Sequence, residues 1–122
     1  GTRLTPFVVV HINHPLEIDK QVAVALNKLI DSGAVVLNQA VLLRGVNDSV
    51  DTLESLCRDL VNLRVTPYYI HQLDRVEGSG HFEVSDARAM EIISELRRRL
   101  PGYAVPRLVR ERPGGANKEV LA

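Results

Sequence analysis

The chain is poor in the residues that would assign it to several common classes. It has one cysteine, Cys57, in 122 residues, so no internal disulfide framework can form. It has no tryptophan, and aromatic residues make up 4% of the chain. The longest apolar runs fall far short of the roughly 20 residues that cross a bilayer. Neither sign of charge is in excess, with 15 basic and 15 acidic side chains. That balance removes the electrostatic footprint of bulk nucleic-acid or membrane-surface binding. No secretory leader is recognisable, because Gly1-Thr2-Arg3 runs straight into a strand-like segment. A lone thiol and no leader point to a reducing cytoplasm. Cys57 falls in the apolar stripe of a helix, where it reads as a small buried hydrophobe.

What is present reads as a single α/β domain over residues 1–122, large enough for a real core. Phe7 to Ile12 is a continuous apolar run, expected as a parallel strand buried on both faces. Ile18, Val22, Leu26, Leu29 and Ile30 follow with helical spacing, and Ser32-Gly33 ends that helix. Ala34 to Val41 is a second strand, interrupted by the polar pair Asn38-Gln39. Leu53, Leu56, Cys57, Leu60 and Val61 mark a second helix, with Asp51 and Glu54 spaced as a capping box. Pro67 to Leu73 is a third strand, and Asp74 to Val84 a long loop. Ser85 caps a third helix carried by Met90, Ile93, Leu96 and Leu100. Tyr103 to Val109 is a fourth strand. Alternation of this kind builds parallel βα units with right-handed crossovers.

Ligands of parallel βα folds lie at the carboxyl ends of the strands. The polar residues there are His11, Asn13 and His14; Asn38 and Gln39; His71, Gln72 and Asp74; and Arg110, Glu111 and Lys118. The turn Pro113-Gly114-Gly115-Ala116-Asn117-Lys118 removes side-chain bulk just before a lysine, the residue type that forms Schiff bases with carbonyl cofactors. Asp74 and Glu111 could serve acid/base chemistry or grip a cation. His11-x-x-His14 is a poor metal pair, since zinc needs three or four placed ligands; one histidine on a ligand and one in a loop is the better reading. Arg97-Arg98-Arg99 reads as a solvated helix end suited to the helix dipole.

These segments together resemble one family. His11-Ile12-Asn13-His14-Pro15-Leu16-Glu17-Ile18 resembles its HxNHPNEI signature. Leu37 to Asp48 is similar to its NQSVLLRGVND segment almost residue for residue. Pro67 to Asp74 resembles its PYYxxxxD, and Gly80-His81-Phe82 and Gly102 to Pro106 match further blocks. The family is the lysine 2,3-aminomutases, isomerases that use S-adenosylmethionine radical chemistry with pyridoxal phosphate. The resemblance implies part of an incomplete TIM-like β/α barrel. It implies that Lys118 bonds pyridoxal phosphate, that His11 and Gln39 contact S-adenosylmethionine, and that Asp74 and Glu111 bind the ε-ammonium of a lysine substrate. Glu111 stands where the catabolic enzymes carry aspartate.

Ser49 stands where those enzymes carry a zinc-binding cysteine. With His71, the Val84-Ser85-Asp86 helix start and Pro106 to Glu111, it is closer to the branch that makes β-lysine for elongation factor P. The family holds a [4Fe–4S] cluster on a CxxxCxxC motif that this chain lacks. The resemblance therefore implies a C-terminal portion, inactive alone, with open sheet edges that could pair in a homo-oligomer. The other reading is a stand-alone βα module that binds a ligand or protein without catalysis.

Overall fold

The computed structural model describes residues 4–73, 80–111 and 118–122, without the side chains of Glu111 and Lys118. Five strands form one sheet in the order β1-β2-β3-β4-β5. They are β1 (Phe7–Val10), β2 (Val35–Leu42), β3 (Thr66–Gln72), β4 (Arg107–Glu111) and β5 (Lys118–Val120). The first four are parallel, and β5 returns antiparallel to β4. The helices α1 (Lys20–Asp31), α2 (Val50–Asn62) and α3 (Asp86–Arg99) are the crossovers between successive parallel strands. When right-handed crossovers link neighbours that always advance in one direction, every helix falls on the same side of the sheet.

Burial agrees with that geometry. Val36, Asn38, Ala40 and Leu42 alternate along β2 as buried residues, while Val35, Leu37, Gln39 and Val41 are more open. The buried set continues through Ile70 and Leu108 and packs against Leu26, Leu53, Leu56, Leu60, Ile92, Ile93 and Leu96 of the helices. One core thus lies between the sheet and the helical layer. The opposite face has no helix among the described residues, although Val109 on that face is also buried.

The helix boundaries follow local chemistry. Asp19, Ser49 and Ser85 cap the three helices, accepting from the backbone N–H of Val22, Thr52 and Arg88. The expected box at Asp51 and Glu54 is therefore one residue pair too late: both acids lie inside α2, where Arg99 of α3 reaches them. Gly33 closes α1 at φ +105°, as its position suggested. In α3 the buried stripe is Ala89, Ile92, Ile93 and Leu96; Met90 is 41% exposed and does not belong to it.

Other expectations are corrected. β1 is an edge strand, not a strand buried on both faces; Phe7 is 67% exposed on the helix-free side. β2 is not broken at Asn38-Gln39 but shifts register against β3 there, with Asn38 opposite Pro67 and Gln39 opposite Tyr69. Gly102 to Ala104 form a 3₁₀ turn, so β4 starts at Arg107 and runs to Glu111. β5 was not expected at all. The glycine turn before it, and Asp74, lie outside the described residues.

Candidate active site

Three asparagines build the rim at the carboxyl ends of β1 and β2. Asn38 is 2% exposed, and its amide takes over where the β1–β2 ladder stops. Its Oδ1 accepts from the Ile12 N–H at 2.9 Å and its Nδ2 donates to the Ile12 carbonyl at 3.0 Å. Asn13 then reaches back to β2, its Oδ1 accepting from the Val41 N–H. Asn47, 1% exposed, donates to the carbonyls of Asn13 and Val41 and accepts from the Leu43 N–H. These are backbone groups that the irregular strand exits leave without ladder partners, and the amides satisfy them. The following loop is held in turn, with Asp48 accepting from Gly45 N–H and Arg44 donating from Nε to the His81 carbonyl.

With the strand exits fixed, parity decides which rim residues share a face. β1 ends at Val10, which pairs with Asn38, and the exposed His11 follows it, next to the Ile12 that Asn38 holds. His71 of β3 lies on the helix-free face with Gln39, its Nε2 3.0 Å from the Gln39 Oε1. The Tyr69 ring meets the His71 ring edge-on, at 6.0 Å between centroids and 77° between planes. At the far side of the sheet, the antiparallel register sets Lys118 directly opposite Glu111. Glu111 is two residues beyond Val109, which pairs with His71. Gln39 and His71 therefore share one face, His11 follows the end of β1 at the same end of the sheet, and the backbones of Glu111 and Lys118 are paired at that end.

The other expected rim residues are used elsewhere. His14 caps the 3₁₀ turn Pro15–Glu17, its Nδ1 accepting from the Leu16 N–H, which is the loop role foreseen for one of the two histidines. Asn38, Gln72 and Arg110 point to the helical layer. Gln72 donates from Nε2 to the Val84 carbonyl and to Asp86, and Arg110 also pairs with Asp86. No group of His, Cys, Asp and Glu among the described residues is arranged to hold a metal. Sequence reasoning missed the bracing role of Asn13, Asn38 and Asn47. The only signal was the placement of an amide at each strand exit.

The remaining charge chemistry lies away from this rim. Arg99 links Asp51 and Glu54 of α2 to Glu95 of α3, so it is a clasp between helices and not simply part of a solvated run. Hydrogen bonds from Arg58 and then Arg99 hold the Glu54 carboxyl below the usual range, and those to Asp51 and Glu54 raise Arg99. A hollow of about 200 Å³ beside Arg58, Leu100 and Tyr103 lies at the amino ends of the strands, far from the rim chemistry. Cys57 is 2% exposed in α2, and burial pushes its thiol up to about 12. No helix among the described residues is long and apolar enough to cross a membrane.

Comparison with known proteins places the chain in a family. The chain is 46% identical over 121 residues, 99% of its length, to an L-lysine 2,3-aminomutase of Haemophilus influenzae. It is 46% identical over 93% of its length to that of Escherichia coli, and 46% over 91% to that of Bacillus subtilis. This chain belongs to the lysine 2,3-aminomutase family. It spans 36% of the Haemophilus protein, 33% of the Escherichia protein and 24% of the Bacillus protein. No family model matches it. Within the family frame, the long segment from Leu37 to Asp48 carries both a face residue, Gln39, and two of the three amides that brace the rim, Asn38 and Asn47.

Proposed function

We propose that this chain is the carboxyl-terminal portion of a radical lysine 2,3-aminomutase, an enzyme that converts α-lysine to β-lysine by moving an amino group between adjacent carbons. The observation that carries this reading is the combination of near-complete coverage by aminomutase relatives with a polar rim on the helix-free face. The sheet is read as one sector of a β/α barrel. Its sequential strand order and one-sided helical layer support that, since barrel strands keep their helices outside and their ligand face inside.

On this reading Lys118 is the covalent anchor of pyridoxal phosphate, and Glu111, its partner in register, binds the substrate ε-ammonium together with Asp74. Two carboxylates around one ammonium form charge-assisted hydrogen bonds, which fix the far end of lysine and leave its α-carbon end toward the reacting centre. His11 and Gln39 contact S-adenosylmethionine. Bound pyridoxal phosphate supplies a delocalised π system that stabilises a neighbouring radical, and S-adenosylmethionine on a reduced [4Fe–4S] cluster supplies the hydrogen-abstracting species. The cluster does not fit this chain. It has one cysteine, Cys57, buried in the core, whereas a cluster on CxxxCxxC needs three. The 122 residues alone are therefore inactive, and the source reading frame continues upstream through CxxxCxxC. A frame that opens at Gly1 would overturn the fragment reading.

The branch that modifies elongation factor P in the cytoplasm is the better fit. Ser49 serves as the α2 cap at the position where the zinc-binding branch carries cysteine.

The chain offers a clean test of the anchor, because Lys20, Lys28 and Lys118 are its only lysines. Incubation with pyridoxal phosphate, borohydride reduction and peptide mapping should label Lys118 several-fold above the two α1 lysines. Equal labelling of all three would remove Lys118 from its role.

A further inference from the structure

The geometry points to His71 as a positioning residue. It fixes the side-chain amide of Gln39 so that the two N–H donors, not the carbonyl oxygen, face a ligand on the helix-free side of the sheet. The inference rests on the reading that Gln39 meets S-adenosylmethionine, and it specifies which atoms of that ligand Gln39 can accept.

A glutamine on an open sheet face ordinarily turns its amide freely and offers either pole. Gln39 does not. Its Oε1 lies 3.0 Å from the His71 Nε2. An amide oxygen only accepts, so the hydrogen belongs to Nε2 and the imidazole is the Nε2–H tautomer or the cation. The imidazole is itself oriented by strand packing. Tyr69, directly opposite Gln39 in the β2–β3 register, meets the His71 ring edge-on. Tyr69 in turn lies against Tyr68, with ring centroids 4.2 Å apart. A tyrosine pair thus packs against the histidine, and the histidine engages the glutamine. With Oε1 engaged, the Nε2 hydrogens of Gln39 remain for the ligand.

The consequence is a choice of ligand atoms. A pair of amide N–H donors suits hydroxyl or carboxylate oxygens and opposes an ammonium. Gln39 would thus bind an oxygen of S-adenosylmethionine, from its ribose or its carboxylate, and not the amino group. Holding the amide before the ligand arrives also lowers the ordering cost of binding.

The test has two parts, the first on this chain and the second on the cluster-loaded full-length protein that contains it. Long-range ¹H–¹⁵N spectra of the imidazole should show hydrogen on Nε2 of His71; a neutral ring protonated at Nδ1 alone would overturn the assignment outright. Calorimetric titration with S-adenosylmethionine then compares variants whose backbone amide spectra match the parent. Gln39→Leu should weaken binding about 10-fold and His71→Phe by a similar factor, with the double variant no weaker than Gln39→Leu. His71→Gln, whose amide nitrogen reaches the Nε2 position, should restore most of the affinity. His71→Asn, which falls short of it, should not, and it serves if His71→Phe does not fold. Weak binding in Gln39→Leu but full binding in both His71→Phe and His71→Asn sinks the positioning role and leaves the Gln39 contact standing. Undiminished binding in Gln39→Leu sinks the Gln39 contact itself.

Discussion

Replacing Asn47 with alanine should lower the stability of the chain by about 3–5 kcal/mol, enough to unfold much of a marginal domain. The side chain is 1% exposed and serves three backbone groups: it accepts from Leu43 N–H at 2.8 Å and donates to the carbonyls of Asn13 and Val41, each at 2.9 Å. Alanine leaves all three unpaired in the interior, at about 1–3 kcal/mol each before water or relaxation recovers part of the loss. Aspartate should do no better. It keeps an acceptor for Leu43 but turns a second oxygen toward two carbonyls and buries a charge. Urea titrations of the two variants check this, and a loss below about 1 kcal/mol for alanine would show that the rim is not braced as described. The same variant should disturb the β1 exit, because Asn13 is the residue through which Asn47 reaches β1.

That dependence explains why only part of the site was legible in the sequence. The period of the apolar residues gave three helices and four parallel strands, since a helical stripe and a short branched run differ in spacing alone. The layer each strand enters is not local information. Phe7 to Val10 has the composition of a central strand and lies at an edge, because composition reports what a strand could pair with and not what is present beside it. Asn38-Gln39 stood out as a polar interruption of β2, but its two members go opposite ways. Asn38 turns to the helices to replace the ladder at Ile12, and Gln39 turns to the helix-free face. Only the register, which depends on the shift against β3 at that point, separates their roles. β5 is three residues long, too short for any period, and it pairs antiparallel with β4. Lys118 and Glu111 were singled out separately; that they are directly opposed is a consequence of that antiparallel return.

Cys57 should make the chain lose stability steeply above pH 9, and a Cys57→Ala variant should lose less. The thiol is buried among the apolar side chains of α2 and its neighbours, and burial pushes it from 9.0 up to about 12. In the unfolded chain it titrates at its ordinary value. Below pH 9 both states hold the proton and the group adds no pH dependence. Between pH 9 and 12 the unfolded state releases the proton while the native state keeps it, so alkali favours unfolding. The slope is about 1.4 kcal/mol per pH unit, reaching about 4 kcal/mol by pH 12. Tyrosines and lysines titrate in the same range in both proteins, so the measured quantity is the difference between parent and variant. Cys57→Ala should be the less stable of the two at pH 8, through lost packing, and should overtake the parent as pH rises toward 11. Parallel urea midpoints from pH 8 to pH 11 would mean that the thiolate forms without unfolding. One cysteine cannot supply three cluster thiolates, so on the proposed reading the iron–sulfur half of the chemistry comes from other residues.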